Sequence, residues 1–303
     1  MIEAKNLSKI YKKKLAVDDI SFTVETGKVT GFLGPNGAGK STTMRLMLGL
    51  NSGKGTTLFD GKKLEGYTKP SGVVGILLEA KAFHPTRSAR EHLRILATEG
   101  GLPLTRVDEV LETVGLKNEA KKGPGKFSLG MSQRLGLAAA LLANPTYLIL
   151  DEPANGLDPE GIVWLREFLK SYADHEHGVF VSSHLLSEMA NLADNLVVIG
   201  RGKLLADTSM KKFVSGNVSS TVFVRVSDTD KLAKELTKRS ISYEKDGKGL
   251  ELAKVKTDEI GKLAFDLKMP ILELATRTAS LEEAFLEVTA GSEEYKGQVE
   301  TKK

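Results

Sequence analysis

Gly34-Pro35-Asn36-Gly37-Ala38-Gly39-Lys40-Ser41-Thr42 follows an apolar run from Val29 to Leu33, and this order of residue types builds a cradle for phosphate. Glycine at both ends of the turn lets the backbone come close enough for consecutive N–H groups to point at phosphate oxygens. A helix starting near Gly39 adds the positive end of its dipole. Lys40 then reaches the β- and γ-phosphates, Ser41 offers a hydroxyl to Mg²⁺, and Thr42 adds a polar contact. The chemistry implied is capture of a nucleoside triphosphate.

A second segment supplies carboxylates. Tyr147-Leu148-Ile149-Leu150 is a short apolar strand candidate that ends in Asp151-Glu152. A buried strand of this kind delivers both acids to the phosphate edge of a parallel sheet. Asp151 is placed to hold Mg²⁺, directly or through water, and Glu152 to polarise the water that attacks the γ-phosphate.

Further along, Phe127-Ser128-Leu129-Gly130-Met131-Ser132-Gln133-Arg134 precedes an Ala/Leu-rich helix from Leu135 to Ala143. Here the chain resembles the ATP-binding-cassette (ABC) ATPases, whose signature opens a helix at this place and is followed by Gln-x-Arg or a close variant. Asn155-Gly156-Leu157-Asp158-Pro159 is similar to their D-loop, and Val179-Phe180-Val181-Ser182-Ser183-His184 to their switch strand. Tyr11 stands where the family stacks an aromatic ring on adenine. The resemblance covers about residues 1–210, with the motifs in the family's order.

It implies ATP and Mg²⁺ as ligands, with Glu152, His184 and Lys40 as catalytic residues. Ser128 and the free N–H groups of the helix beginning near Gly130, with Met131 beside them, form a second anion site. The first loop already holds its own nucleotide, so this second site needs a partner's γ-phosphate. The resemblance thus implies a homodimer or paired cassette that closes head to tail on two ATP molecules and opens after hydrolysis. His184 is expected to keep the water and the Glu152 carboxylate in register.

Two departures from the common pattern stand out. Glu79, after the strand Val73 to Leu78, replaces a Gln; a carboxylate there can ligate Mg²⁺ but adds negative charge beside phosphates. Leu129 and Met131 replace the usual Gly and Gln, and Met131 cannot donate the hydrogen bond a Gln would give. Both features are similar to a subgroup of bacterial exporters that includes bacitracin, lantibiotic and other antibiotic-resistance transporters. That resemblance implies a separately encoded transmembrane permease subunit and a cytoplasmic location, peripheral on the inner face of the membrane. Phe83, His84 and Arg87 are candidates for the groove that receives the permease, or are ordinary surface residues at a helix start.

Composition narrows the alternatives. The 303 residues include no cysteine, which excludes disulfides and thiolate metal sites. A net charge of +4 with acids and bases interspersed does not support nucleic-acid binding. Apolar runs are too short to span a bilayer, and Met1 leads into a strand rather than a signal segment. Lys12-Lys13-Lys14 reads as a solvated turn. Asn6-Leu7-Ser8 and Asn217-Val218-Ser219 match a glycosylation pattern that is discounted without a secretory signal.

Length implies more than one domain. The expected fold class is α/β, with a RecA-like, mostly parallel sheet carrying the phosphate loop; the resemblance to the ABC ATPases further implies an antiparallel β subdomain from roughly the first thirty residues plus Gly55–Gly61. A helical subdomain is expected at about 83–143, within an ATPase domain of residues 1–212. Residues 213–290 read as a small α+β, ferredoxin-like domain in β-α-β-β-α-β order, closed by a helix near Leu281–Val288 and suited to dimer stabilisation or regulation. A polar tail, 291–303, reads as disordered. The functional alternative is a soluble cassette ATPase acting on ribosomes or DNA; one phosphate loop, one signature and no long insertion favour the exporter subunit.

Overall fold

The computed structural model describes residues 1–12, 14–84, 86–184, 186–217, 221–253, 255–277 and 281–289. Met1–Met210 and Lys211–Val288 are separate compact units. In chain order the first contains β1 (Ile2–Tyr11), β2 (Lys14–Val24), β3 (Lys28–Leu33), α1 (Lys40–Met47), β4 (Lys54–Phe59), β5 (Val74–Leu77), α2 (Ala89–Glu99), α3 (Thr105–Thr113) and α4 (Leu129–Leu141). β6 (Tyr147–Leu150), α5 (Pro159–Asp174), β7 (Gly178–Ser182), α6 (Leu186–Leu192), β8 (Asn195–Gly200) and β9 (Lys203–Ser209) complete it.

Residue patterning explains why there are two kinds of sheet. On β2, Ile20, Phe22 and Val24 are buried while Ser21 and Thr23 are exposed, the alternation of a sheet with one wet face. β1, β2 and β4 form that sheet, antiparallel, in the order β2-β1-β4. By contrast β6 and β7 are buried at every position, as strands covered on both faces must be. They belong to a six-stranded sheet, β5-β6-β7-β3-β8-β9, parallel except for β9.

That order positions the chemistry. β3, β7 and β6 are neighbours, so the segments leaving their carboxyl ends converge: the phosphate loop after β3, Asp151-Glu152 after β6, and Ser182–His184 at the end of β7. Open α/β sheets bind ligands at this edge. Behind it, Phe22, Phe32 and Phe180 stack across the interface of the two sheets with ring centroids 4.9–5.9 Å apart. Phe180→Ala should cost about 3–5 kcal/mol, the usual range for an emptied aromatic site, and urea unfolding of the two chains measures it.

α2, α3 and α4 pack on one another as a helical layer. α2 begins with a reciprocal cap: the Ser88 hydroxyl accepts from the Glu91 N–H, and the Glu91 carboxylate accepts from the Ser88 N–H. α4 is buried around much of its circumference, and it begins at Leu129, so the signature residues form its first turn rather than a loop ahead of it.

The chain continues through α7 (Met210–Asn217), β10 (Thr221–Val226), α8 (Thr229–Lys238), β11 (Tyr243–Asp246), β12 (Gly249–Ala253), α9 (Thr257–Asp266), β13 (Ile271–Arg277) and α10 (Leu281–Thr289). The four strands run antiparallel in the order β11-β12-β10-β13, which is the ferredoxin-like arrangement. Val222, Val224, Leu250 and Leu252 form a core with Leu232 of α8 and Leu263 of α9. On strand β10, Phe223 lies under the Arg277 guanidinium, 4.0 Å from its ring centre. Lys13, Val218 and Ser219, and the tail 291–303, lie outside the described residues, so the expected lysine turn and the second glycosylation pattern are only partly covered and the tail is not covered.

Candidate active site

Gly34 and Gly39 show why the loop needs glycine. A Cβ on Gly34 would stand 2.6 Å from the Ile199 carbonyl oxygen, and one on Gly39 2.4 Å from that of Ala16. Gly39 also has φ +105°, a conformation side chains rarely adopt. The Ala38 carbonyl accepts from the Gly202 N–H at 3.0 Å, fixing the loop from the β8–β9 turn. Asn36 and Gly37 are exposed at its tip; Thr42 is half-buried on the first turn of α1.

Lys40 is 8% exposed, and its ammonium donates to the Gly34 carbonyl at 2.6 Å. Burial lowers its pKa, while the charges of Glu152 and Asp151 oppose that shift. Ser41 donates to Asp151 Oδ2 at 2.5 Å, and Ser182 donates to Asp151 Oδ1 at 2.5 Å. The Glu152 N–H donates to Ser182 Oγ at 2.9 Å. Glu152 Oε2 meets His184 Nδ1 at 2.5 Å and accepts from the His184 backbone N–H at 3.3 Å. One connected network therefore runs from the phosphate loop through Ser41, Asp151, Ser182 and Glu152 to His184.

Ser41 Oγ and Asp151 Oδ2 supply two hard oxygen donors at one point. Adjacent oxygens on an octahedral Mg²⁺ lie about 3 Å apart, given bonds of about 2.1 Å, so a small opening of this pair fits the ion. No cluster of three or more His, Cys, Asp or Glu suited to a metal occurs among the described residues. Mg²⁺ takes one or two protein oxygens plus phosphate and water, and this pair supplies two.

Several expected residues have partners of their own. Glu79 pairs with Arg45 of α1 at 2.6 Å and is largely exposed. The hydroxyl of Tyr11 accepts from Asn51 Nδ2 at 2.8 Å, and the Lys9 ammonium is 4.9 Å from its ring centre. A cleft of about 260 Å³ beside the phosphate loop is lined by Leu15, Ala16, Asn36, Gly37, Arg201 and Gly202, without Tyr11. Ser128 caps α4, its hydroxyl accepting from the Met131 N–H at 3.1 Å. Gly130 packs so closely on the D-loop that a Cβ would meet the Gly156 carbonyl oxygen at 2.5 Å.

Some participants were not assigned from sequence. Ser182 joins both acids, and Gln133 Nε2 donates to the Glu152 carbonyl at 3.1 Å. Glu152 itself has φ +51°, a strained conformation costing about 1–3 kcal/mol. Glu188 of α6 has its carboxyl pKa raised, chiefly by burial; His184 opposes that shift and Glu152 reinforces it. A separate cleft of about 500 Å³ is lined by Arg45, Glu79, Phe83, His92, Leu96 and Leu135. His84 and Arg87 are not among its lining residues. Burial, and the charge of Arg87, lower the pKa of His92.

A phosphate loop at the carboxyl edge of a parallel sheet, with an acid pair and a histidine bound to the second acid, defines a nucleoside-triphosphatase of the P-loop class. The chain belongs to the family of ABC transporter ATP-binding proteins: the family described as "ABC transporter" matches residues 17–155. A domain of unknown function matches residues 220–282. The uncharacterized ABC transporter ATP-binding protein YhcH of Bacillus subtilis (strain 168) is 38% identical over 97% of both chains. The bacitracin transport ATP-binding protein BcrA of Bacillus licheniformis is 44% identical over 68% of this chain and 69% of its own. The lantibiotic transport ATP-binding protein SrtF of Streptococcus pyogenes is 38% identical over 68% of this chain and 90% of its own. A solved ATP-binding subunit of an ABC transporter superposes with TM-score 0.66 and 27% identity, covering 78% of this chain and 99% of that one. The chain is thus the ATP-binding, ATP-hydrolysing subunit of an ABC transporter. No helix among the described residues is long and apolar enough to cross a membrane.

Proposed function

We propose that this subunit drives efflux of peptide antibiotics of the bacitracin or lantibiotic kind through a separately encoded transmembrane permease, docked against the inner face of the membrane. The relatives named for bacitracin and lantibiotic transport support the cargo class. The single observation that carries the ATPase mechanism is the network joining Ser41, Asp151, Ser182, Glu152 and His184.

In this mechanism the loop N–H groups and Lys40 hold the β- and γ-phosphates. Ser41 and Asp151 would hold Mg²⁺, which supplies neutralising charge at the phosphate oxygens when bound. Glu152 takes a proton from the water that adds to the γ-phosphorus, while the bond to the bridging oxygen breaks and leaves ADP and phosphate. His184 fixes the Glu152 carboxylate through its Nδ1. Ser128 and the N–H groups at the start of α4 receive the γ-phosphate of a second cassette. The cleft bearing Phe83 and His92 receives the permease.

The pairing has a direct test. With hydrolysis blocked by Glu152→Gln, ATP and Mg²⁺ should convert the chain from monomer to dimer in light scattering, and ADP should not. A monomer at saturating ATP would remove the head-to-tail reading.

A further inference from the structure

We infer that Gln133 is a positioning residue that ties the catalytic acid of one nucleotide site to the signature helix serving the other. The inference rests on the reading of the α4 N-terminus as the receptor for a second cassette's γ-phosphate.

Gln133 lies on α4 five residues past its cap, Ser128, and is 6% exposed. Its amide nitrogen donates to the Glu152 carbonyl oxygen at 3.1 Å. Because a carbonyl can only accept, this bond fixes which way the amide faces. Its oxygen, Oε1, is then buried with no hydrogen-bond partner among the described residues. An orphaned buried acceptor is costly, and a methionine would fill the same space without it. What the amide adds over a methionine is the bond to Glu152.

That bond falls on a strained peptide. Glu152 has φ +51°, so its conformation must be held by its surroundings. Ser182 of β7 accepts from its N–H at 2.9 Å, and its carbonyl accepts twice, from Gln133 at 3.1 Å and from the Asn155 N–H at 3.2 Å. Of the two side-chain anchors, one comes from the sheet and the other from the helix that Ser128 caps. The same helix presses Gly130 and Leu129 onto Gly156, four residues beyond Glu152. Arg134, next to Gln133, donates to the Val114 carbonyl at 3.0 Å and stacks 4.5 Å from the Trp164 ring centre, joining α4 to its neighbours. A shift of α4 when an anion seats at Ser128 therefore moves the Glu152 carbonyl, and with it the carboxylate that His184 holds.

The test uses the full chain with Gln133→Met, which keeps the volume and removes the donor. Single-turnover hydrolysis should slow about 10- to 100-fold, the scale of a misplaced catalytic group. ATP affinity should stay within about twofold, since the variant touches no phosphate contact. In a Glu152→Gln background the same change should add nothing, because both act through one carboxylate. As a second variant, Gln133→Glu regains a donor only when its buried carboxyl is protonated, so its rate relative to the parent chain should rise as pH falls. Parent-like turnover in Gln133→Met, a multiplied loss in the double variant, or a flat pH ratio for Gln133→Glu overturns the role of Gln133. Failure of the Glu152→Gln chain to dimerise with ATP overturns instead the reading on which it rests.

Discussion

Glu152→Gln will slow ATP hydrolysis about 10²–10⁴-fold, the usual contribution of a positioned general base, and leave ATP affinity unchanged. The reason is local. Glutamine keeps the shape of the side chain but cannot take the proton of the attacking water. The groups that bind phosphate are separate from it: the N–H groups of the Gly34–Gly39 loop, and Lys40, which is anchored on the Gly34 carbonyl at 2.6 Å. The strained backbone of residue 152 is held through its main-chain atoms by Ser182, Gln133 and the Asn155 N–H, so it survives the substitution. Phosphate release from a purified chain at saturating ATP measures the first effect, and a fluorescent nucleotide the second.

Lys40→Ala should fail one step earlier. The ammonium is the one cation that the described loop buries beside Asp151 and Glu152, and both acids favour its charged form. Removing it deletes charge-assisted bonds to phosphate, worth about 1.5–3 kcal/mol, or about 10- to 100-fold in affinity. It also leaves two acids facing the phosphates without a counter-charge. Nucleotide titration of the two variants separates the roles: indistinguishable affinities for Glu152→Gln and Lys40→Ala would contradict both assignments.

How far these roles were readable in the sequence follows from the range over which each is determined. The phosphate loop is local: glycine spacing and an apolar strand ahead of it state its geometry, and the close approaches at Gly34 and Gly39 agree with that reading. Asp151 and Glu152 were readable because a fully apolar run ends at them. Ser182 was not singled out within its motif, because its function depends on β7 lying between β3 and β6, which is sheet order rather than residue pattern. Gln133 belongs to the signature, but its task is not local, since its partner is a main-chain carbonyl on another element. Glu79 shows the reverse limit. Its carboxylate suggests a metal ligand, and the ion pair it makes with Arg45, on a separate helix, is not visible in its local sequence.

Tyr11 follows the same logic. An aromatic ring ahead of the loop is a reasonable platform for a base, but where it points depends on Asn51 and Lys9. In the second unit, β10 is legible as the first strand of the β-α-β-β-α-β order. The burial of β13 could not be read in this way: its residues are largely exposed although the strand pairs along β10.

Recovery of the intact assembly decides whether the cassette works with a membrane partner. Tagged Glu152→Gln chain, expressed in its native host, is extracted from membranes with mild detergent in ATP and Mg²⁺, and its co-purifying proteins are identified. A stoichiometric membrane protein with several spanning helices should be recovered, in which cargo specificity can then be sought. Recovery solely from the soluble fraction, with ribosomal or DNA-repair proteins, would contradict the exporter reading.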